Sequence, residues 1–184
     1  VRLVHQGPRV RSIRHETNIG MSENLLACVE NSSGRYFMFI GDDDTVDAKG
    51  LARVFEFLEN GINPSAFIQG SWPAFGVNIA TTDSVEPLRA IDYFFFAGNS
   101  WATISRTSFM KQALKDFRKD QRLRGNIWPQ TYLIFHSLFA HPHSPPIITS
   151  FPLGTMMNER WIVRPDKKYT IRIVEDLIDV ARAI

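Results

Sequence analysis

Three consecutive aspartates, Asp42, Asp43 and Asp44, follow a continuous apolar run at residues 36–40 and a glycine. Two unit charges about 4 Å apart repel each other by roughly 4 kcal/mol at an effective dielectric constant of 20. A divalent cation relieves this repulsion, and hard carboxylate oxygens suit Mg²⁺ or Mn²⁺. The cluster therefore predicts a metal site formed by the three aspartates. An exposed acidic turn followed by a helix cap is the alternative that residue types alone leave open.

The elements around this cluster alternate between strands and helices. The apolar run at residues 36–40 is typical of a strand that is covered on both faces. A helix is predicted to begin after Asp47, whose side chain caps it, and to continue to about Glu59. This rhythm predicts an α/β fold with a mostly parallel sheet flanked by helices. In such sheets, ligands bind beyond the carboxyl ends of the strands, which is where the aspartates fall.

Hydrophobic periodicity and turn residues predict the remaining elements. Strands are expected at residues 10–15, 66–70, 101–105 and 147–151, and a loop at 71–84. Helices are expected at residues 22–31, 85–96, 107–119, 128–140 and 171–184. The expected buried positions on the first two helices are Leu25, Leu26, Cys28 and Val29, and then Leu51, Val54, Phe55 and Leu58.

Three short motifs together resemble family 2 glycosyltransferases of the GT-A fold. They are an Asn-x-Gly turn at residues 18–20 with Asn24 four residues after the glycine, a Gly-x-Tyr at residues 34–36, and the acidic triplet after the apolar run. The resemblance is specific over about residues 10–58. Beyond that range, the pattern looks like sugar transferases of bacterial surface polysaccharides, such as the abequosyltransferase-like group.

The resemblance implies a GT-A-type, Rossmann-like sheet and metal-dependent transfer of a sugar from a nucleotide-sugar donor, with inversion. The acceptor would be a glycan or a lipid-linked sugar. The resemblance also assigns roles to single residues. It implies that Asp43 binds Mg²⁺ or Mn²⁺, with Asp42 or Asp44 assisting or contacting the ribose. The donor-binding residues that it implies are Asn18, Gly20, Asn24 and Asp42.

The sequence departs from the family pattern at two places. The leading aspartate of the usual Asp-x-Asp motif falls on Gly41, so that Asp42 and Asp43 become the core pair. The Glu-Asp pair that carries the general base is replaced at residues 128–130 by Trp-Pro-Gln. Trp128 and Gln130 are predicted at the acceptor side, at the N-terminus of a helix, but an amide cannot accept a proton as a base. By residue type alone, the candidates for the base are Asp116, Asp120, His136, His141 and His143.

The family pattern places two βα units, including an aspartate that holds the nucleotide base, before the residues present here. We therefore expect a single partial domain that lacks these units, with a donor-side half at residues 1–60 and an acceptor-side half at residues 61–184. Such a chain is expected to have little transferase activity by itself.

Net charge and hydropathy limit the classes of partner that the chain is expected to bind. The net charge of +2 does not argue for nucleic acid, and no apolar stretch approaches the roughly 20 residues of a membrane span. The single cysteine fits a reducing, cytoplasmic location. Four arginines in the first fifteen residues would suit phosphates or the inner face of a membrane, and a solvated face is equally consistent. A Mg²⁺-dependent phosphoryl-transfer enzyme and a degenerate, non-catalytic binding module remain the rival interpretations.

Overall fold

A computed structural model describes residues 12–41, 44–72, 77–78, 103–126, 128–141 and 143–156. The helices are α1 (Gly20–Asn31), α2 (Ala48–Glu59), α3 (Thr107–Lys119) and α4 (Pro129–Phe139), with a 3-10 turn at Gln121–Leu123. The strands are β1 (Tyr36–Met38), β2 (Asp44–Val46), β3 (Ala66–Gln69), β4 (Ser71–Trp72), β5 (Val77–Asn78), β6 (Thr103–Arg106), β7 (Ile147–Thr149) and β8 (Gly154–Met156).

Four of the strands form the main sheet, in the order β1-β6-β3-β7. β6 is antiparallel to both of its neighbours, whereas β3 and β7 are parallel. β1, β3 and β7 therefore run in one direction, and their carboxyl ends lie at the same edge of the sheet. Two-stranded ribbons, β2–β8 and β4–β5, complete the described pairings. The expected α/β fold is confirmed, but the described part of the main sheet is mixed: β1, β3 and β7 share one direction, whereas two of the three pairings are antiparallel because β6 separates β1 from β3.

The sheet is packed on both faces. Neighbouring residues of a strand point to opposite faces, so alternate residues of β3 enter different cores. Ala66 and Ile68 of β3 belong to a core shared with α1, α3 and α4. Phe67, between them, belongs to a second core that includes Val54 of α2 and Leu153. All four residues of β3 are buried, as expected for a strand covered on two sides.

Local signals place several helix boundaries correctly. The Asp47 Oδ1 atom accepts the N–H of Gly50 at 2.6 Å and caps α2, which ends at Glu59 as predicted. The predicted bounds of α3, residues 107–119, are those observed. Pro129 stands at the first position of α4, where its missing N–H leaves no helical bond unmade.

The predictions for the first strand and the first helix are wrong. Residues 12–15 are not part of a strand, because no described strand pairs with them. The helix expected to begin after a Ser22 cap begins at Gly20, and Ile19 stands at its cap without a side-chain hydrogen bond. Asn18 takes over part of the capping role from outside, since its Oδ1 atom accepts the N–H of Gly20 at 2.9 Å.

Two predicted core residues are exposed. Cys28 lies on the solvent side of α1, while Leu26 and Val29 are buried. Phe55 of α2 is 55% exposed, and Phe57 packs in its place against Phe67, with ring centroids 6.0 Å apart. Helical periodicity predicts that one face is buried, but the neighbouring elements determine which residues at the margin of that face are covered.

The helices predicted at residues 85–96 and 171–184 lie outside the described residues, as does most of the loop predicted at residues 71–84. The described residues of that loop, 71–72 and 77–78, form the β4–β5 ribbon. Among the helices that the structure describes, none is both long enough and apolar enough to cross a membrane.

Candidate functional site

The acidic segment follows β1 at the edge of the sheet where β1, β3 and β7 end. Gly41 and Asp44 are joined by two hydrogen bonds that bracket the two residues between them. The N–H of Gly41 donates to Asp44 Oδ2 at 3.1 Å, and the N–H of Asp44 donates to the Gly41 carbonyl oxygen at 3.4 Å. Asp42 and Asp43 themselves lie outside the described residues.

Two chain segments meet at this edge. Asp44 begins β2, which pairs with β8 so that Asp44 lies opposite Met156 and Val46 opposite Gly154. The N–H of Asp47 donates to the carbonyl oxygen of Leu153 at 2.9 Å. The acidic segment is thereby attached to the chain that leaves β7, and both lie beyond the carboxyl ends of parallel strands, where α/β sheets bind ligands.

Gln69, the last residue of β3, hydrogen-bonds the chain segment that follows β7 at the same edge of the sheet. It is 5% exposed, and its Oε1 atom accepts the N–H groups of Leu153 at 2.7 Å and of Gly154 at 3.2 Å. Sequence reasoning did not single out Gln69. The available signal was an amide side chain in a run of otherwise apolar strand residues, because a buried polar group must find hydrogen-bond partners.

The predicted donor-side residues Asn18, Gly20 and Asn24 line one open pocket of about 390 Å³ at the start of α1. Gly20 has φ +79°, a left-handed conformation that glycine adopts without strain. The first N–H groups of α1 have no partner within the helix, and they lie at the end of the helix that lines the pocket. Among the residues that the structure describes, Asp44 does not line this pocket.

A larger pocket of about 600 Å³ adjoins the first one and shares Gly20 and Met21 with it. Its other wall is the end of α3 and the following turn, which contribute residues of both charge signs, Arg118, Asp120 and Arg124 among them. Across this pocket, Arg118 Nη2 lies 3.3 Å from Glu23 Oε2, so the acidic residue in the first turn of α1 is balanced by a cation.

The predicted acceptor-side residues lie at the start of α4. The N–H of Trp128 donates to Asn126 Oδ1 at 2.7 Å, which holds the residue before Pro129 in place. Gln130 and Thr131 are 3% and 1% exposed, and Gln130 Oε1 and Thr131 Oγ1 are buried without a hydrogen-bond partner. The first turn of α4 is therefore enclosed by protein, where an open N-terminus was expected.

The side chains considered as alternative bases are engaged in local contacts. Asp116 Oδ2 lies 3.4 Å from His136 Nε2 and also accepts a hydrogen bond from Gln112. Hydrogen bonds from Arg122 hold the pKa of Asp120 below its ordinary value, so that this carboxylate stays ionised. Neither aspartate is placed at the acidic edge by any contact described above.

His141 lies against the ring of Phe109, with centroids 3.5 Å apart and planes 15° apart. Burial lowers the pKa of His141 from its ordinary value, and the nearby His136 and Arg106 lower it further. His143 is exposed. These two histidines flank a proline, and their surroundings indicate packing at His141 and solvent contact at His143.

The residue types at the acidic edge fit a divalent cation, because three adjacent carboxylates supply hard oxygen ligands. Asp44 is the member of this set that the structure describes, and its carboxylate is already oriented by the Gly41 N–H. In the part of the chain that the structure describes, no group of three histidine, cysteine or acidic side chains is arranged to hold a metal. The full set therefore depends on Asp42 and Asp43.

Comparison with known proteins gives one match. The family model described as glycosyl transferase family 2 matches residues 2–131, well over half of the 184 residues. No curated protein and no solved structure matched the chain. The matched range contains the Asn18–Gly20 turn, the acidic triplet and the start of α4, and the mixed α/β architecture agrees with a GT-A-like domain. The chain belongs to glycosyl transferase family 2, and it is a glycosyltransferase that takes its sugar from a nucleotide-sugar donor.

Proposed function

We propose that this enzyme carries out metal-dependent, inverting transfer of a sugar to a glycan or lipid-linked acceptor in bacterial surface polysaccharide synthesis. The observation that supports this proposal most is the position of the acidic segment at the edge where β1, β3 and β7 end. Residues 1–60 form the donor side and residues 61–184 the acceptor side. A lipid-linked acceptor would place the reaction in the cytoplasm at the inner face of the membrane, where the arginine-rich first fifteen residues suit an anionic surface.

In this proposal Asp43 holds Mg²⁺ or Mn²⁺, and Asp42 or Asp44 assists or contacts the ribose. The bound cation offsets the negative charge that develops on the diphosphate leaving group. The hydrogen bond from the Gly41 N–H orients the carboxylate of Asp44.

The donor diphosphate is proposed to approach the pocket at the start of α1. Asn18 and Gly20 shape the turn there, and Asn24 lies one helical turn further along the same pocket wall. Asn18 accepts the N–H of Gly20, but the N–H groups that follow in the first turn and the positive end of the helix dipole favour an anion at this position. Glu23, in the first turn of α1, would repel the diphosphate. Because Glu23 is paired with Arg118, this repulsion is weaker than that of an unpaired carboxylate.

Trp128 and Gln130 are proposed to contact the acceptor. Gln130 Oε1 is buried and has no donor among the described residues, so it would accept a hydrogen bond from an acceptor hydroxyl only when the enclosed first turn of α4 opens. The amide orients such a hydroxyl but cannot take its proton. The general base is therefore a group other than Gln130.

Manganese binding followed by calorimetry tests the proposal. We compare the unaltered protein with Asp43→Asn, and with Asp116→Asn as a control, because Asp116 lies on α3 and is paired with His136. Loss of the binding heat in Asp43→Asn, with retention in Asp116→Asn, is expected. Equal heats in the unaltered protein and Asp43→Asn would overturn the metal site. With the intact protein, release of nucleoside diphosphate from a panel of nucleotide sugars, and the anomeric configuration of the product by NMR, then test transfer and inversion.

A further inference from the structure

The path of the chain from β7 back to the acidic segment depends on one buried side chain. After β7, residues 150–153 cross the sheet edge and enter β8, whose partner strand starts at Asp44. Gln69 Oε1 accepts the N–H groups of Leu153 and Gly154, the last residue before β8 and the first residue in it. Gln69 thus fixes the point at which this chain segment turns to pair with β2.

Gln69 can hold the segment after β7 in a fixed position, because its own backbone is fixed in the main sheet. It ends β3, which has strands on both sides, and it is in register with Thr149 of β7. The Thr149 hydroxyl donates to the carbonyl oxygen of Phe151 at 2.8 Å. This hydrogen bond also fixes residues 150–151, which directly follow β7. Gln69 and Thr149 are 5% and 0% exposed, and hydrogen bonds at this depth compete with little water.

The contacts then continue from β8 to the acidic segment. The N–H of Asp47 donates to the Leu153 carbonyl oxygen, and Asp44 lies opposite Met156. The peptide units on which Gln69 acts therefore contact the C-terminal end of β2 directly, and they reach Asp44 only along the length of β8. Without an acceptor at residue 69, two buried N–H groups would lose their partner, at a cost that favours displacement of the segment toward water.

We propose that Gln69 is a positioning residue for the metal-binding segment, acting through β8 on the strand that begins at Asp44. This proposal rests on the proposed function of Asp42–Asp44. Gln69 itself contacts neither donor nor metal in this role. It holds the backbone of Leu153 and Gly154, which fixes the pairing of β8 with β2 and thereby the position of Asp44.

The test uses variants that separate the hydrogen-bond acceptor from side-chain volume. Gln69→Leu removes the acceptor, and Gln69→Glu keeps an oxygen at the same distance from the backbone. Thr103→Val is the control: Thr103 lies opposite Ile68 in the same sheet, is buried, and its hydroxyl has no hydrogen-bond partner. If Gln69→Leu does not fold, Gln69→Asn takes its place, since its amide is one methylene too short for the contact.

Two measurements are made on the intact protein. Hydrogen exchange followed by mass spectrometry reports on peptides that contain β2 and β8, and calorimetry reports the affinity for Mn²⁺ alone. We expect Gln69→Leu to exchange about tenfold faster in these peptides and to bind Mn²⁺ about tenfold more weakly, as for the loss of one to two buried hydrogen bonds. Gln69→Glu keeps the acceptor but buries a carboxylate, so it should fall between Gln69→Leu and the unaltered protein, and Thr103→Val should change neither property.

The outcomes separate this proposal from the metal site itself. If the unaltered protein binds Mn²⁺ and Asp43→Asn does not, the metal site stands. Unchanged exchange in Gln69→Leu, or faster exchange with unaltered Mn²⁺ affinity, would then overturn the positioning role alone. A protein that binds no Mn²⁺ in any form overturns both.

Discussion

Gly50, in the first turn of α2, lies against the carbonyl group of Pro152: a Cβ atom at residue 50 would stand 1.8 Å from that oxygen. No heavy atom fits at this distance, so α2 can approach the segment between β7 and β8 only with glycine at this position. The same turn of α2 carries the Asp47 cap, whose backbone N–H also bonds this segment through Leu153. α2, β2 and residues 152–154 therefore form one closely packed unit beside the acidic triplet.

Gly50→Ala should lower the free energy of unfolding. Alanine favours the helix by about 1 kcal/mol over glycine, but the overlap with backbone atoms that cannot rotate away costs about 1–3 kcal/mol or more. We expect a net loss of about 2 kcal/mol in urea unfolding. Lys49→Ala, at the neighbouring exposed position of α2, should change stability by less than about 0.5 kcal/mol. A Gly50→Ala protein as stable as Lys49→Ala would show that α2 and Pro152 are further apart than described.

Substitution of Gly20 should affect both stability and donor binding. The φ angle of +79° costs an alanine about 1 kcal/mol, and asparagine less, because asparagine tolerates the left-handed region. No atom lies within 4 Å of a Cβ at this position, so the effect is one of backbone conformation and not of space. We expect Gly20→Ala to unfold at lower urea concentration and to raise KM for the donor, with Gly20→Asn in between. Ser22→Ala, inside α1, serves as the control, and an order in which alanine is tolerated better than asparagine would contradict the reasoning.

Stability should fall in mildly acidic solution because of His141. The pKa of this histidine is lowered in the folded protein, since burial next to Phe109, and then His136 and Arg106, disfavour the charged ring. Unfolding returns it to an ordinary pKa of about 6.5, so the unfolded chain binds the proton first as the pH falls. The contribution of this site is therefore intact above about pH 6.5 and is lost as the pH falls through the lower, folded-state pKa.

His141→Phe keeps an aromatic ring against Phe109 but removes the titrating group. Its free energy of unfolding, measured in urea between pH 7.5 and pH 5, should decline less steeply with acidification than that of the unaltered protein. His143→Gln changes an exposed histidine two residues away and should leave the slope as it is. Parallel curves for the unaltered protein and His141→Phe would rule out His141 as the source of the pH dependence.

Several features of this protein could be read from short stretches of sequence. Asp47 caps α2, Pro129 begins α4, and α3 has the predicted bounds, because capping and helix initiation depend on residues within one turn of each other. The strand at residues 66–69 was recognisable as a strand, whereas the apolar run at residues 36–40, predicted to be covered on both faces, forms the half-buried edge strand β1 and ends at Met38. The family, too, was recognisable, since its motifs are a few residues long and keep their spacing.

Tertiary structure alone decided which elements meet. Gln69 finds its partners at Leu153 and Gly154, 84 and 85 residues later, and no local pattern specifies a contact over that distance. The insertion of β6 between β1 and β3, the exposure of Cys28 and Phe55, and the enclosure of Gln130 likewise follow from how helices and strands pack. Sequence periodicity determines that a helix has a buried face, whereas the neighbouring elements determine how wide that face is and which residues lie at its margin.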